Sequence, residues 1–238
     1  MGTSQASAPS LTSAAAHTRR LLAGYHLGEH GLWHKASNFE NAVRVPLVIK
    51  APGKPSATGR RTESTTELVD LWPTLSRLAG VGRPASAAGD DLSPLFDDPT
   101  QTLKHAAYHQ FPACRMRLRA AGRGADFRLI NQTRKMCNQL MPRQFDFMGY
   151  SMRTARWRYT LWLPWDQERL EPLWRAEERD CAQELYDHAG DDASDMDRYE
   201  NVNLAAERPD VTIGLRAQLE GFFSIRREPP RSQIRQPP

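Results

Sequence analysis

Long apolar runs are missing from this chain. No stretch of its 238 residues approaches the roughly 20 consecutive apolar side chains that a membrane-spanning helix needs, so a membrane partner is not expected. Acidic side chains are missing before Glu29. Residues 1–23 are instead rich in Ala, Ser and Thr and carry His17, Arg19 and Arg20, without the apolar core of about 7–15 residues that marks a secretory signal. That composition predicts a disordered N-terminus. Cysteine is scarce as well. Cys114, Cys137 and Cys181 are odd in number and lack metal-finger spacing, so the sequence specifies neither a disulfide framework nor a zinc site. Cys114 and Cys137 could pair if the chain is exported, and the sequon Asn131-Gln-Thr133 matters only in a secretory compartment, which leaves the compartment open.

What is present suffices for a core. The hydrophobic fraction is 39% and there are six Trp, which argues against wholesale disorder. The formal charge of +4, from 32 basic against 28 acidic residues, is unevenly spread. Between Arg115 and Lys135 stand Arg115, Arg117, Arg119, Arg123, Arg128, Arg134 and Lys135 against the single acid Asp126. Such a field attracts sulfate, phosphate or nucleic acid alike. Nucleic-acid readers add a fold signature or aromatic platform, and only Phe127 interleaves here, so nucleic acid is not expected and a solvated loop or an anionic glycan contact remains.

Periodicity predicts a strand over Val43–Ala51, with Pro46 tolerable at its start or edge. An amphipathic helix follows over Thr66–Ala79, started by Thr65 or Thr66, interrupted near Pro73 and stopped by Gly80. Residues 82–104 read as loop. Beyond a boundary near residue 105, the runs Ala107–Phe111, Phe145–Met152, Trp157–Leu163 and Glu184–Tyr186 predict a small antiparallel sheet. Ala205–Phe223 has helical spacing with Pro209 suited to its first turn, and the Pro- and Arg-rich tail from Arg226 is expected to be unstructured. The chain thus divides into 1–23, 24–104, 105–225 and 226–238, an α/β portion followed by an α+β subdomain.

Chemistry concentrates in Tyr25-His-Leu-Gly-Glu-His-Gly-Leu-Trp-His-Lys35. His26 and His30 are four apart, but Gly28 and Gly31 oppose a helix that would set both imidazoles on one face, so no independent metal site is expected. Glu29 and His30 read as a buried polar brace of the Gly-rich loop, because buried polar groups need partners. A lone Lys35 would ordinarily be a solvated surface charge.

The run Gly24–Lys35, with Phe39-Glu40 and Arg44-Val-Pro-Leu-Val-Ile49, closely resembles a segment of the sulfatases, alkaline-phosphatase-like hydrolases of sulfate esters, and most resembles their iduronate-2-sulfatase branch. Glu67–Gly80, Ala107–Pro112, Met148–Thr154 with Arg158-Tyr-Thr160, and Glu184–Asp187 with Asn201–Ala205 match in the same order. The resemblance covers roughly residues 24–222 and corresponds to the C-terminal part of a family member. It implies an α/β fold, here the incomplete C-terminal portion of the alkaline-phosphatase-like sandwich plus a small antiparallel subdomain with a C-terminal helix. It also implies a sulfated carbohydrate or small sulfate ester as partner, Lys35 as the sulfate contact, and Tyr25 and His26 near the substrate.

Departures limit those expectations. The family's metal-ligating Asp-His or Asp-Asn pair is replaced by Leu22-Ala23, and the N-terminal Asp-Asp pair is absent. Calcium serves the complete members, but no cofactor is expected for this chain, because hard cations need several oxygen ligands. None of the three cysteines begins the Cys-x-Pro/Ala-x-Arg sequence that yields the formylglycine nucleophile. Catalysis by this chain alone is therefore not expected. Three readings follow: a sulfatase polypeptide represented by its C-terminal part and completed by an N-terminal half, a non-catalytic binding module for sulfated carbohydrate, or a chain with exposed strand edges that does not fold by itself.

Overall fold

The computed structural model of the chain describes residues 17–18, 24–35, 37–83, 85–113, 142–191 and 198–225. The expectations for most of residues 1–23, including Leu22-Ala23, for the basic segment with Cys114, Asn131 and Cys137, and for the tail from Arg226 lie outside the described residues. In chain order the elements are β1 (His17–Thr18), β2 (His26–Leu27), β3 (Trp33–His34), α1 (Glu40–Val43), β4 (Ile49–Lys50), α2 (Leu71–Leu78), α3 (Pro94–Asp97), β5 (Ala106–Ala113), β6 (Phe147–Thr154), β7 (Trp157–Asp166), β8 (Glu171–Pro172), β9 (Ala182–Asp187) and α4 (Pro209–Ile225). Contacts group them into two compact units, one built on Val45–Ala107 with β1, the other on Ala23–Arg44 and the chain from Tyr108 onward.

In the first unit the strand expected over Val43–Ala51 shrinks to β4, which pairs antiparallel with β1 (His17↔Lys50, Thr18↔Ile49). Val43 instead closes α1, and Pro46 has no N–H to give a ladder. The expected helix opens as one 3-10 turn, Leu68–Asp70, and becomes α2 at Leu71, which is where the anticipated irregularity near Trp72 falls. Its cap is Glu67 rather than a threonine. Asp70 Oδ2 accepts the Glu67 N–H at 2.7 Å while the Glu67 carboxylate accepts in return, a reciprocal capping box. Pro73 lies in the first turn of α2, where a missing N–H is tolerated, and Gly80 ends the helix at φ 68°. Within the stretch read as loop, α3 starts at Pro94 after Asp91 has bound the Ser93 N–H and hydroxyl at 2.9 and 2.8 Å.

The second unit is built on the expected antiparallel sheet, in the order β5-β6-β7-β8, with β9 also paired to β7. Strict alternation gives it two unlike faces. Met148, Tyr150 and Met152 stand opposite Leu163, Leu161 and Tyr159, with Leu185 of β9 beside Tyr159. This apolar face receives α4, whose Phe223 meets Tyr150 at 4.5 Å between ring centroids. The helix starts at Pro209, as expected, and contributes the fully buried Leu219. The opposite face carries Gly149, Ser151 and Arg153 beside Trp162, Thr160 and Arg158, with Glu184 of β9 next to Thr160. Phe147 and Trp162 pack there with Ala113, but toward Arg153 and Arg158 the face is polar, and the candidate site is built on that part.

Candidate functional site

The Gly-rich loop forms a two-stranded hairpin, β2 against β3, with His26 facing His34 and Leu27 facing Trp33. Its turn is a 3-10 segment, Glu29–Gly31, entered through Gly28 at φ 133° and left through His30 and Gly31 at φ 56° and 69°. Glycine suits the first and last of these positions because a Cβ strains the left-handed backbone. Glu29 Oε2 accepts the Leu27 N–H at 2.5 Å, tying the turn to its own strand. The half-buried His30 ring stacks on Phe39, with centroids 4.1 Å apart and planes at 7°.

Tyr25 is 48% exposed, and its hydroxyl meets His34 Nδ1 at 2.5 Å. His26 is fully buried, with Nε2 2.8 Å from the Ser37 hydroxyl, so its ring faces the protein. Burial and the neighbouring His30 lower the His26 pKa, and burial lowers that of His30. Both imidazoles are therefore neutral at pH 7. Lys35 is exposed, and among the described residues no ion pair or hydrogen bond engages its ammonium.

The segment after Lys35 is fixed to the polar sheet face. Ser37 O meets His109 Nε2 at 3.3 Å, Asn38 Nδ2 donates to the Gly149 carbonyl at 3.3 Å, and the Glu40 N–H donates to Glu200 Oε2 at 2.6 Å. Gly149 is required by this approach, since a Cβ there would stand 2.5 Å from Asn38 Nδ2. The Glu40 carboxylate accepts from Arg158 and, at 3.2 Å, from Arg153, while Arg158 Nε donates to Glu200 Oε1. His188 completes the cluster, with Nε2 3.1 Å from Glu200 and Nδ1 2.6 Å from Asp191.

Arg158, Glu40 and Glu200 are all buried. Burial pushes the two carboxyl groups toward the neutral form, but Arg158 together with Arg153 and His188 at Glu40, and together with His188 and the Glu40 N–H at Glu200, outweighs it, and their pKa values end below the ordinary range. Burial likewise opposes the charge on Arg158, and Glu200 and Glu40 more than offset it. For Arg153 burial prevails over Glu40 and the pKa is lowered. His109 is pushed down to about 4 by burial and by Arg158, against its hydrogen bond to the Ser37 carbonyl.

Glu40, His188 and Glu200 each bring a ligand-type atom within 4.8 Å of the others. The set does not fit a calcium ion. Arg158 already occupies one oxygen of each carboxylate and Arg153 shares Glu40, so two guanidinium charges balance two carboxylates. A hard cation would displace those donors and still find few oxygens.

The sequence reading passed over Glu40, Arg153, Arg158, His188 and Glu200 as functional groups. The available signal was a charged residue, Arg158, inside the run Trp157–Leu163 that otherwise reads as buried strand. Such a residue demands buried counter-charges.

Residues 28–146 match the family described as N-sulphoglucosamine sulphohydrolase, C-terminal. Iduronate 2-sulfatase of Mus musculus is 32% identical over 189 residues, covering 60% of this chain and 31% of that protein. The Homo sapiens iduronate 2-sulfatase is 28% identical over 183 residues, covering 59% and 30%. N-acetylglucosamine-6-O-sulfatase of Bacteroides thetaiotaomicron is 35% identical over 115 residues, covering 45% and 20%. Among solved structures, a putative sulfatase from Bacteroides thetaiotaomicron VPI-5482 aligns with a TM-score of 0.53 at 21% identity, over 82% of this chain and 33% of that one. The phosphonate monoester hydrolase SpPMH from Silicibacter pomeroyi aligns at 0.54 and 22%, over 84% and 33%. These two share the fold. The chain spans about a third of the length of the iduronate 2-sulfatases and of these two solved structures. With half of its residues matched, the chain belongs to the N-sulphoglucosamine sulphohydrolase C-terminal family and is a C-terminal sulfatase portion.

Proposed function

We propose that the hairpin and the segment through Glu40 form the anion-contacting loop of a sulfuric ester hydrolase acting on sulfated glycans, with Lys35 as the sulfate contact. The carrying observation is that Lys35 is exposed and unengaged among the described residues, while the segment directly after it is pinned to a buried sheet face. A preorganised ammonium beside the ester oxygen neutralises the charge that develops as the S–O bond breaks. In this reading Tyr25, exposed and bound to His34, meets the sugar; His26, expected near the substrate, is instead fully buried on Ser37 and joins Glu29 and His30 as the brace. The relatives named iduronate 2-sulfatase support a sulfated uronic acid as substrate class. No cysteine in the sequence begins Cys-x-Pro/Ala-x-Arg, and the acid and histidine cluster is filled by arginine, so this chain supplies the anion contact and not the nucleophile or the metal.

A second reading, a non-catalytic binding module for sulfated carbohydrate, is favoured by the same unengaged Lys35 without a nucleophile beside it. The experiment that weighs both measures hydrolysis of an aryl sulfate, with and without calcium, and retention on immobilised heparin by the 238-residue chain. Retention without turnover, with Lys35→Ala eluting at clearly lower salt, is expected. Turnover would overturn the non-catalytic assignment, and equal elution of wild type and variant would overturn the role of Lys35.

A further inference from the structure

The charges buried beneath the loop call for an explanation that stability alone does not give. Arg158, Glu40 and Glu200 lie on the polar face of an otherwise well-packed sheet, and a buried ion triad of this kind is seldom worth more than apolar side chains of the same volume. Its distinguishing property is geometric. The guanidinium is planar and offers donors in a fixed fork, so a partner carboxylate is held in one orientation. Here the fork holds Glu40, the residue five places after Lys35, through Nη2, and Glu200 through Nε. Glu200 in turn accepts the main-chain N–H of Glu40, so the side chain and the backbone of that residue are clamped by the same pair. His188, itself bound to Asp191, orients Glu200.

We propose that Arg158 is a positioning residue for the anion site: by fixing Glu40 it sets the place of the segment that carries Lys35, and so tunes affinity for a sulfated ligand without touching it. This rests on the reading of Lys35 as the sulfate contact. The sheet strand β7 therefore contributes to ligand recognition from beneath the loop. Loosening the clamp spreads Lys35 over more positions, and ordering it again on binding costs affinity. Arg153 does not replace Arg158, because it reaches Glu40 alone among the two carboxylates.

The test is a double-mutant cycle on the 238-residue chain, reading the dissociation constant of a size-defined heparin hexasaccharide by calorimetry, with near-ultraviolet circular dichroism to check the fold. Lys35→Ala is expected to weaken binding at least tenfold. Arg158→Lys, which keeps the charge and loses the fork, is expected to weaken it about three- to tenfold. The double variant should bind no more weakly than Lys35→Ala alone, because a residue acting through Lys35 has nothing left to act on. A general structural effect would instead multiply the two losses, and that result overturns the proposal, as does wild-type affinity in Arg158→Lys. If Lys35→Ala binds as wild type, the reading beneath the proposal fails and takes the proposal with it, whereas a Lys35 effect without an Arg158 effect sinks the proposal alone. Should Arg158→Lys not fold, Glu40→Gln replaces it in the same cycle. Hydrogen exchange of the wild-type Glu40 amide needs no variant: slowing by the hexasaccharide is expected, and an unchanged rate counts against the clamp.

Discussion

The indole Nε1 of Trp162 donates to Glu184 Oε1 at 3.0 Å across the β7 and β9 pairing, on the same sheet face as the Arg158 cluster. Burial raises the Glu184 pKa to about 7, the Trp162 bond opposing it only in part. The folded state therefore binds this proton more tightly than the unfolded chain, and stability from this group is lost as pH rises from about 4.5 toward 7. The lowered histidines His26, His30 and His109 act in the opposite sense, since the unfolded chain binds their protons first as pH falls below 6.5. Three groups outweigh one, so stability is expected to rise between pH 4.5 and 6.5. Glu184→Gln should steepen that rise by up to about 1.4 kcal/mol per pH unit, and His109→Gln should flatten it by a similar amount. Urea midpoints at half-unit pH intervals, followed by tryptophan fluorescence, check both; a slope unchanged in Glu184→Gln would contradict the assignment.

Gly149 has no room for a side chain. A Cβ would stand 2.5 Å from Asn38 Nδ2 and 2.6 Å from the Trp162 ring. Gly149→Ala is expected to destabilise the chain by about 1–3 kcal/mol through overpacking. It should also break the Asn38 bond to the Gly149 carbonyl, so proteolysis within residues 24–44 should accelerate more than cleavage elsewhere.

Asn203 closes the outer edge of β9. Its Oδ1 accepts the N–H groups of Leu185 and Ala205 at 2.9 and 3.0 Å, and its Nδ2 donates to the Gln183 carbonyl at 3.0 Å. Asn203→Ala leaves these backbone groups without that partner, at an expected cost of about 1–3 kcal/mol. The Leu185 amide should lose hydrogen-exchange protection, whereas amides on the β6 and β7 pairing should keep theirs relative to the new global stability.

The sheet and α4 were legible because their apolar residues follow one period over whole elements. Met148, Tyr150 and Met152 alternate with Gly149, Ser151 and Arg153, and Val211, Leu215, Leu219 and Phe222 keep helical spacing after Pro209. The strand at β4 was overread, since β-branched residues and Pro46 describe extended backbone equally well without a ladder. In the site, Tyr25, His26, Glu29, His30 and Lys35 fall within the single run 25–35 and could be singled out together. The clamp could not: Glu40 and Arg158 are 118 positions apart, and nothing local in either neighbourhood names the other. A buried charge announces that it needs a partner, but not which one.

Asp70 supplies the counterpart in the first unit. It is fully buried and serves three donors: the Glu67 N–H at 2.7 Å, the Asp90 N–H at 2.8 Å and Lys104 Nζ at 2.6 Å. Lys104 also reaches Glu67 at 2.7 Å; burial disfavours its charge, yet the bonds to Asp70 and Glu67 outweigh that and its pKa is raised. Replacing Asp70 by Asn keeps the shape but puts an N–H₂ where one of three donors was received, and leaves the ammonium with less compensation. Asp70→Asn is therefore expected to cost about 3 kcal/mol, in the range for breaking a buried pair. Lys104→Met should cost at least as much, because it strands the fully buried Asp70 carboxylate, and the double variant, which removes both charges, should be more stable than the sum of the two losses implies. Urea denaturation of the three variants, with hydrogen exchange on α2, reads the coupling; additive losses would mean that Lys104 and Asp70 stabilise the unit independently, contrary to their shared hydrogen bond.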